Sequence, residues 1–254
     1  MLKKHLILNL ALLGLALVSH SLSAATTLVA VAANFSKPMT EIAAEFAKTT
    51  GHSAKLSFGS SGKLVSQIEN AAPFEIFLSA DESGPEKLEQ SGLAVTGTRF
   101  NYALGKLVLW SATDNYVDGQ GKVLSNGSFK HIAIADPKLA PYGAAAVEVI
   151  KNLKLSDKLK PLLVQGENIA QTQQFISTGN AELGFIALSQ VYENGKISSG
   201  SGWIVPDQLH APIRQSAVLL NLGAENPAAQ ALLSFLNSTT AKAIISRYGY
   251  DLPQ

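Results

Sequence analysis

Short apolar runs rich in β-branched residues return along the chain with helical patterns between them, and that alternation leaves few folds open. The runs are residues 27–33 (TLVAVAA), 54–60 (AKLSFGS), 74–80 (FEIFLSA), 106–112 (KLVLWSA), 131–137 (HIAIADP), 160–166 (KPLLVQG), 183–189 (LGFIALS) and 215–221 (QSAVLLN). Between them lie helical patterns at 37–51, 62–71, 141–154 and 168–180, with a last one at 226–250. In the first, Met39, Ile42, Ala43 and Phe46 fall on one face, Pro38 sits in the first turn where a missing N–H is harmless, and Gly51 is the stop. Strands alternating with helices predict an α/β chain with mostly parallel strands. No repeat, charge run or low-complexity linker interrupts the series. If there are two domains, the chain crosses between them through ordinary strands, expected near Tyr102–Lys106 and Arg214–Ala217.

Composition narrows the setting. The 254 residues include no cysteine, so no disulfide framework exists and the core alone must stabilise the fold. A lipid anchor at an export cleavage site is excluded for the same reason. Residues 1–25 read as a cleaved secretory signal: Lys3 and Lys4, an apolar stretch from Leu6 to Val18 too short to span a bilayer, then small residues. Cleavage is expected after Ala25, or nearly as well after Ser23. Without Lys3 and Lys4 the charge balance is 18 basic to 19 acidic side chains, with no basic stripe, which argues against nucleic acid as a partner.

The stretch SFGSSGKLVSQIENA, residues 57–71, has the layout of an anion-holding loop: a strand, glycine and serine, then a helix start. A nucleotide P-loop is ruled out, because Ser57 stands where the first glycine belongs and Leu64 follows Lys63 where a Mg²⁺-binding hydroxyl is required. A serine hydrolase would use Ser60 or Ser61, yet the nucleophile-elbow pattern does not fit, and His52, His131 and His210 lie in no motif. Nothing has metal-ligand spacing. Non-covalent capture of an anion gathers more support. Asn34 and Ser36, Ser60 and Ser61, Tyr142 and Gly143, and Asn168, Ile169 and Thr172 each stand where a strand gives way to a helix. Helix starts expose unpaired N–H groups and partial positive charge, and in α/β sheets ligands collect at the strands' carboxyl edge.

At these residues the chain resembles the periplasmic molybdate-binding proteins of ABC importers, from about Thr26 to Pro253. The matching stretches are VAANF, SFGSSGKLVSQIENAAPFEIFLSAD, IADPKLAPYGAAA, GENIAQT, GNAELGFIALS and AIISRYGY. The resemblance implies a two-lobed clam-shell, each lobe a mixed, mostly parallel sheet flanked by helices. Residues 26–103 with 217–254 would form lobe I and residues 104–216 lobe II. A tetrahedral dianion, molybdate or tungstate, would sit between them, bound as an oxyanion with no directly ligated metal cation and no cofactor. By motif position Asn34 donates from backbone and side chain, Ser61 from hydroxyl and N–H, and Tyr142 and Ile169 from main-chain N–H. Ala33, where some relatives carry threonine, keeps only its N–H, and Ser60 is a further candidate. Ala187 stands where some relatives place an anion-reaching tyrosine. Lys63, the nearest cation, is read as a solvated helix side chain. The implied protein is a periplasmic monomer that is not an enzyme and delivers its ligand to a membrane permease. Alternatives are a binding protein for sulfate, thiosulfate or another oxyanion and, in another class, an exported serine hydrolase using Ser61.

Overall fold

The computed structural model describes residues 24–193 and 195–253, so the expected leader lies outside it except for Ala24 and Ala25. The chain opens with β1 (Thr26–Ala32), α1 (Ser36–Thr50), β2 (Ser53–Gly59), α2 (Ser61–Glu69), β3 (Ile76–Leu78), α3 (Ser83–Gln90) and β4 (Phe100–Gly105). After Lys106 it continues through β5 (Leu107–Ser111), α4 (Val123–Asn126), β6 (Ile132–Ala135), α5 (Pro141–Asn152), α6 (Ser156–Leu159), β7 (Leu163–Gly166), α7 (Ile169–Ser177) and β8 (Leu183–Ala187). The short pair β9 (Tyr192–Glu193) and β10 (Lys196–Ile197) precedes β11 (Ser201–Ile204), and β12 (Ile213–Leu219), α8 (Pro227–Phe235) and α9 (Thr239–Arg247) complete the chain.

Two five-stranded sheets result, in the orders β2-β1-β3-β12-β4 and β11-β5-β8-β6-β7. Each is mixed and anchors one lobe. In the first, β1 pairs in parallel with β2 and β3, while β12 runs antiparallel to β3 and β4. In the second, β6 pairs in parallel with β7 and β8, while β5 runs antiparallel to β8 and β11. Within these two sheets the antiparallel pairings all involve β12 or β5, strands on which the chain arrives from the other sheet. It leaves the first sheet at Lys106 and returns between Ile204 and Ile213.

Helices cover the sheets with the faces their periodicity dictates. Met39, Ile42 and Phe46 of α1 are fully buried against Val29 and Val31 of β1 and against Ile244 and Ile245 of α9. The second core is built on Leu107, Leu109, Ile132, Ile134 and Phe185, closed by Ala145, Ala146 and Val149 of α5. Some elements differ from the sequence expectation. The C-terminal helical stretch is two helices, because the chain breaks after Leu236 and Ser238 caps α9 by accepting from the Ala241 N–H. Pro161 turns residues 160–162 into a 3₁₀ segment, so the strand expected there starts only at Leu163. The strands β4 and β11 and the helix α3 carry too few apolar residues in period to stand out.

Candidate functional site

Four strand-to-helix junctions converge between the lobes. From the first come the 3₁₀ turn Ala33–Phe35 after β1 and the start of α2 after β2; from the second come the starts of α5 after β6 and of α7 after β7. Ala33, Asn34, Ser60, Ser61, Tyr142 and Ile169 line one cavity together with Ala32, Gly59, Ala80, Ala140 and Pro141. The space is far below the usual range for organic ligands and on the scale of a single small ion. The six residues that the resemblance implies as ligands, Ala33 and Ser60 included, all line it, whereas Ser36, Gly143, Asn168 and Thr172 do not.

Local sequence explains why donors point inward. The first-turn amides of a helix have no intrahelical acceptor. In α5 the first residue is Pro141, which has no N–H, and Gly143 and Ala144 both donate to Ala140 O, so the Tyr142 N–H is left over. In α7 the Asn168 side chain accepts from the N–H groups of Ala170 and Gln171 at 3.0 and 3.1 Å, which leaves that of Ile169. The Ser61 N–H, first in α2, likewise finds no acceptor among the described residues. Gly143 is needed for close approach: a Cβ there would stand 2.1 Å from Ala135 O, at the end of β6.

Two hydroxyls add to the amides. Ser61 Oγ accepts from the Ala80 N–H at 3.0 Å, so its own proton remains to be donated. Ser60 Oγ is wholly buried and has no hydrogen-bond partner among the described residues. Such orphans are rare in native proteins and point to a ligand or water at the site.

The Asn34 side-chain amide is held 2.9 Å from the Gln215 amide and 3.0 Å from the Tyr250 hydroxyl. Gln215 extends the network, with Nε2 donating to the Tyr142 hydroxyl at 3.0 Å and Oε1 accepting from that of Tyr102 at 2.9 Å. Ser189 Oγ donates to Asn34 O at 2.8 Å, and Tyr250 lies 2.9 Å from both. Sequence reasoning missed Gln215, Tyr102, Tyr250 and Ser189. The available signal was a glutamine heading an apolar run and a tyrosine in the matching stretch AIISRYGY.

Among the described residues, no cation lines the cavity. Lys63, expected to be solvated, is about half exposed and forms an ion pair with Glu167 at the rim, from the other lobe. The Gly62 N–H donates to Leu139 O at 2.9 Å and Lys37 Nζ to Gln190 O at 2.7 Å, so the lobes touch on both sides of the site. Burial raises the pKa values of Tyr102 and Tyr142 well above the ordinary tyrosine value, and that of Tyr250 as well. All three remain neutral hydroxyls across the physiological range. Ala187 is fully buried and gives its N–H to Gln190 Oε1. The histidines lie elsewhere: His52 Nδ1 accepts from the Ala25 N–H, His210 Nδ1 faces Ala211 O, and His131 is exposed.

Known proteins resemble the chain along almost its whole length. The family model "Bacterial extracellular solute-binding protein" matches residues 27–251. The molybdate-binding protein ModA of Azotobacter vinelandii is 57% identical over 240 residues, covering 94% of this chain and 95% of that protein. The molybdate-binding protein ModA of Rhodobacter capsulatus is 51% identical over 238 residues, covering 94% and 92%. Among solved structures, the periplasmic molybdate-binding protein of Azotobacter vinelandii superposes with a TM-score of 0.87 at 44% identity, covering 90% of this chain and all of that one. With its two-sheet fold, its matched span and these relatives, the chain belongs to the family of bacterial extracellular solute-binding proteins.

Proposed function

We propose that this chain captures molybdate, and tungstate as an ion of the same shape and charge, and delivers it to the membrane permease of an ABC importer. The observation that carries the reading is the convergence of unpaired first-turn amides and two serine hydroxyls on one small cavity that no cation lines among the described residues. Burying a dianion is costly unless its oxygens are hydrogen-bonded, and donors aimed inward from several helix starts meet that need. Molybdate, tungstate and sulfate are bare acceptors at neutral pH. Phosphate retains a proton on much of its population, and that O–H would face a donor, a mismatch of about 1–3 kcal/mol. Size then separates the oxometallates from sulfate.

Asn34, Ser61, Tyr142 and Ile169 are the proposed ligands, with Ala33 and Ser60 in support. Lobe I is read as 26–103 with 217–254 and lobe II as 104–216, with the strand ends Leu104–Gly105 and Ile213–Ser216 at the crossings still hydrogen-bonded in the first sheet. Because each lobe contributes donors, the anion stabilises the closed form over the open one, and the permease reads that closed shape. The protein works as a periplasmic monomer freed of residues 1–25, with no cofactor and no catalytic step. Among the described residues no histidine is hydrogen-bonded to Ser61, which argues against a hydrolase.

Isothermal titration of the mature protein with molybdate, tungstate, sulfate and phosphate tests this. One-to-one binding of the two oxometallates, tighter than sulfate and with phosphate far weaker, is expected. Sulfate binding tighter than molybdate transfers the site to a sulfur oxyanion, and no heat with any of the four removes the reading.

A further inference from the structure

The first turn of α2 carries three consecutive residues with three different tasks. Ser61 lines the cavity, Gly62 gives its N–H to Leu139 O of the second lobe at 2.9 Å, and Lys63 forms the rim ion pair with Glu167. Gly62 itself does not line the cavity. We propose that Gly62 is the positioning residue on which the two lobes close: its main chain docks on Leu139, and its missing side chain is the clearance that lets them meet. This rests on the oxyanion reading above.

Both halves of the contact are groups that local structure leaves over. The start of α2 has no side-chain cap, so the Gly62 N–H finds its acceptor, among the described residues, only in the other lobe. Leu139 belongs to the turn before α5, fixed where the N–H groups of Leu139 and Ala140 donate to Asp136 O at 3.1 and 2.8 Å. The contact stands close to donors of both lobes. Ser61 immediately precedes Gly62, and Tyr142, whose N–H is left over, comes three residues after Leu139. Holding these two turns against each other therefore sets the spacing between the donors that meet an anion from either side. Gly62 and Leu139 also line a wide groove that adjoins the cavity, the two spaces sharing Ser61, Ala80, Ala140 and Pro141.

The packing leaves no room for a side chain. A Cβ on Gly62 would stand 3.2 Å from Leu139 Cα, 3.2 Å from its Cδ2 and 3.3 Å from its carbonyl oxygen. Two of these atoms are main chain, so a rotamer change of Leu139 does not relieve the crowding. All three belong to the second lobe, and parting the lobes removes them together. Gly59 is different, since a Cβ there would meet the Leu64 side chain of its own lobe. A glycine within a helix is unfavourable relative to alanine, so α2 alone gains nothing from Gly62. The closed form does.

The chain has no cysteine, so nitroxide labels go only where cysteines are introduced. Lys87→Cys in α3 and Lys151→Cys in α5, both exposed and one on each lobe, carry them. The experiment compares this labelled pair with Gly62 intact, as Gly62→Ala and as Gly62→Val. It measures the label-to-label distance with saturating molybdate by pulsed electron paramagnetic resonance, the molybdate affinity, and the melting temperature of the empty protein. In Gly62→Ala the loaded distance is expected to be longer or more broadly distributed than with Gly62 intact, and affinity to fall about tenfold. The empty protein melts at the same temperature or higher, because the crowding exists only when the lobes meet. Gly62→Val loses more affinity than Gly62→Ala. Unchanged affinity in both variants overturns the proposal. So does weaker binding at an unchanged loaded distance, which places the effect on Ser61 rather than on closure. A fall in the empty protein's melting temperature with Gly62→Ala overturns it as well, since the glycine would then be a requirement of α2 itself. If the protein with Gly62 intact binds no molybdate, tungstate or sulfate, the oxyanion reading falls and this inference with it. Where it does bind, each of those three results removes this inference alone.

Discussion

At the scale of single residues, the two serines side by side in the cavity have opposite relations to the fold. Ser61 Oγ has a structural partner, the Ala80 N–H, whereas Ser60 Oγ has none. Ser61→Ala is therefore expected to weaken molybdate binding by about 1–3 kcal/mol and also to lower the melting temperature of the empty protein, because a buried N–H loses its acceptor. Ser60→Ala should weaken binding while leaving the empty protein as stable as before or slightly more so, since it removes an unpaired hydroxyl. Calorimetric titration beside thermal melts of the ligand-free forms separates the two, and equal losses of stability would refute the distinction. Which residues were legible in the sequence follows the same division. Asn34, Ser60, Ser61, Tyr142 and Ile169 stand at strand-to-helix junctions, where local chemistry marks them. Gln215 does not, because its partners Asn34, Tyr102 and Tyr142 lie 181, 113 and 73 positions away, and its strand reads as ordinary core.

At the scale of elements, the site depends on how helices begin. Asn168 caps α7 with two accepted hydrogen bonds and thereby fixes where the Ile169 N–H points. Asn168→Ala is expected to cost about 1 kcal/mol of stability and to weaken anion binding as well, although its side-chain oxygen is occupied by the helix. Urea melts and titration report the two effects, and a stability loss with unchanged affinity would separate the cap from the site. Gly143→Ala should be more severe, because the added methyl runs into the main chain of Ala135 and pushes the start of α5 away from the cavity. Junctions with strong cap and turn chemistry were readable in advance, and so was the apolar face of α1. The edge strand β4 was not: Asn101 and Tyr102 break its apolar alternation, and its pairing with β12 is decided by chain crossings that no local pattern encodes.

At the scale of the whole molecule, the lobes meet through contacts of different kinds. The rim pair Lys63–Glu167 is half exposed and screened by salt, so it contributes little to closure. The buried network of Tyr102, Tyr142 and Tyr250 with Gln215 and Asn34 lies out of water and ties the same lobes together. That burial has a consequence for pH. In the unfolded chain each phenol ionises near pH 10, whereas in the folded protein all three hold their protons above that value, chiefly because burial disfavours the charged form. Below pH 10 both states carry the same tyrosine protons, and these groups add no pH dependence. Above it the unfolded chain sheds protons that the folded protein keeps, so stability falls as pH rises. The limiting slope for three such groups is about 4 kcal/mol per pH unit. Urea midpoints measured between pH 8 and pH 11, in steps of about half a unit, should stay level to near 10 and then drop steeply. Tyr142→Phe should make the drop shallower, since one of the retained protons is no longer at issue. A stability that stays level through this range would mean that the tyrosines ionise as readily in the folded protein as outside it, and the network would then be open to water rather than sealed between the lobes.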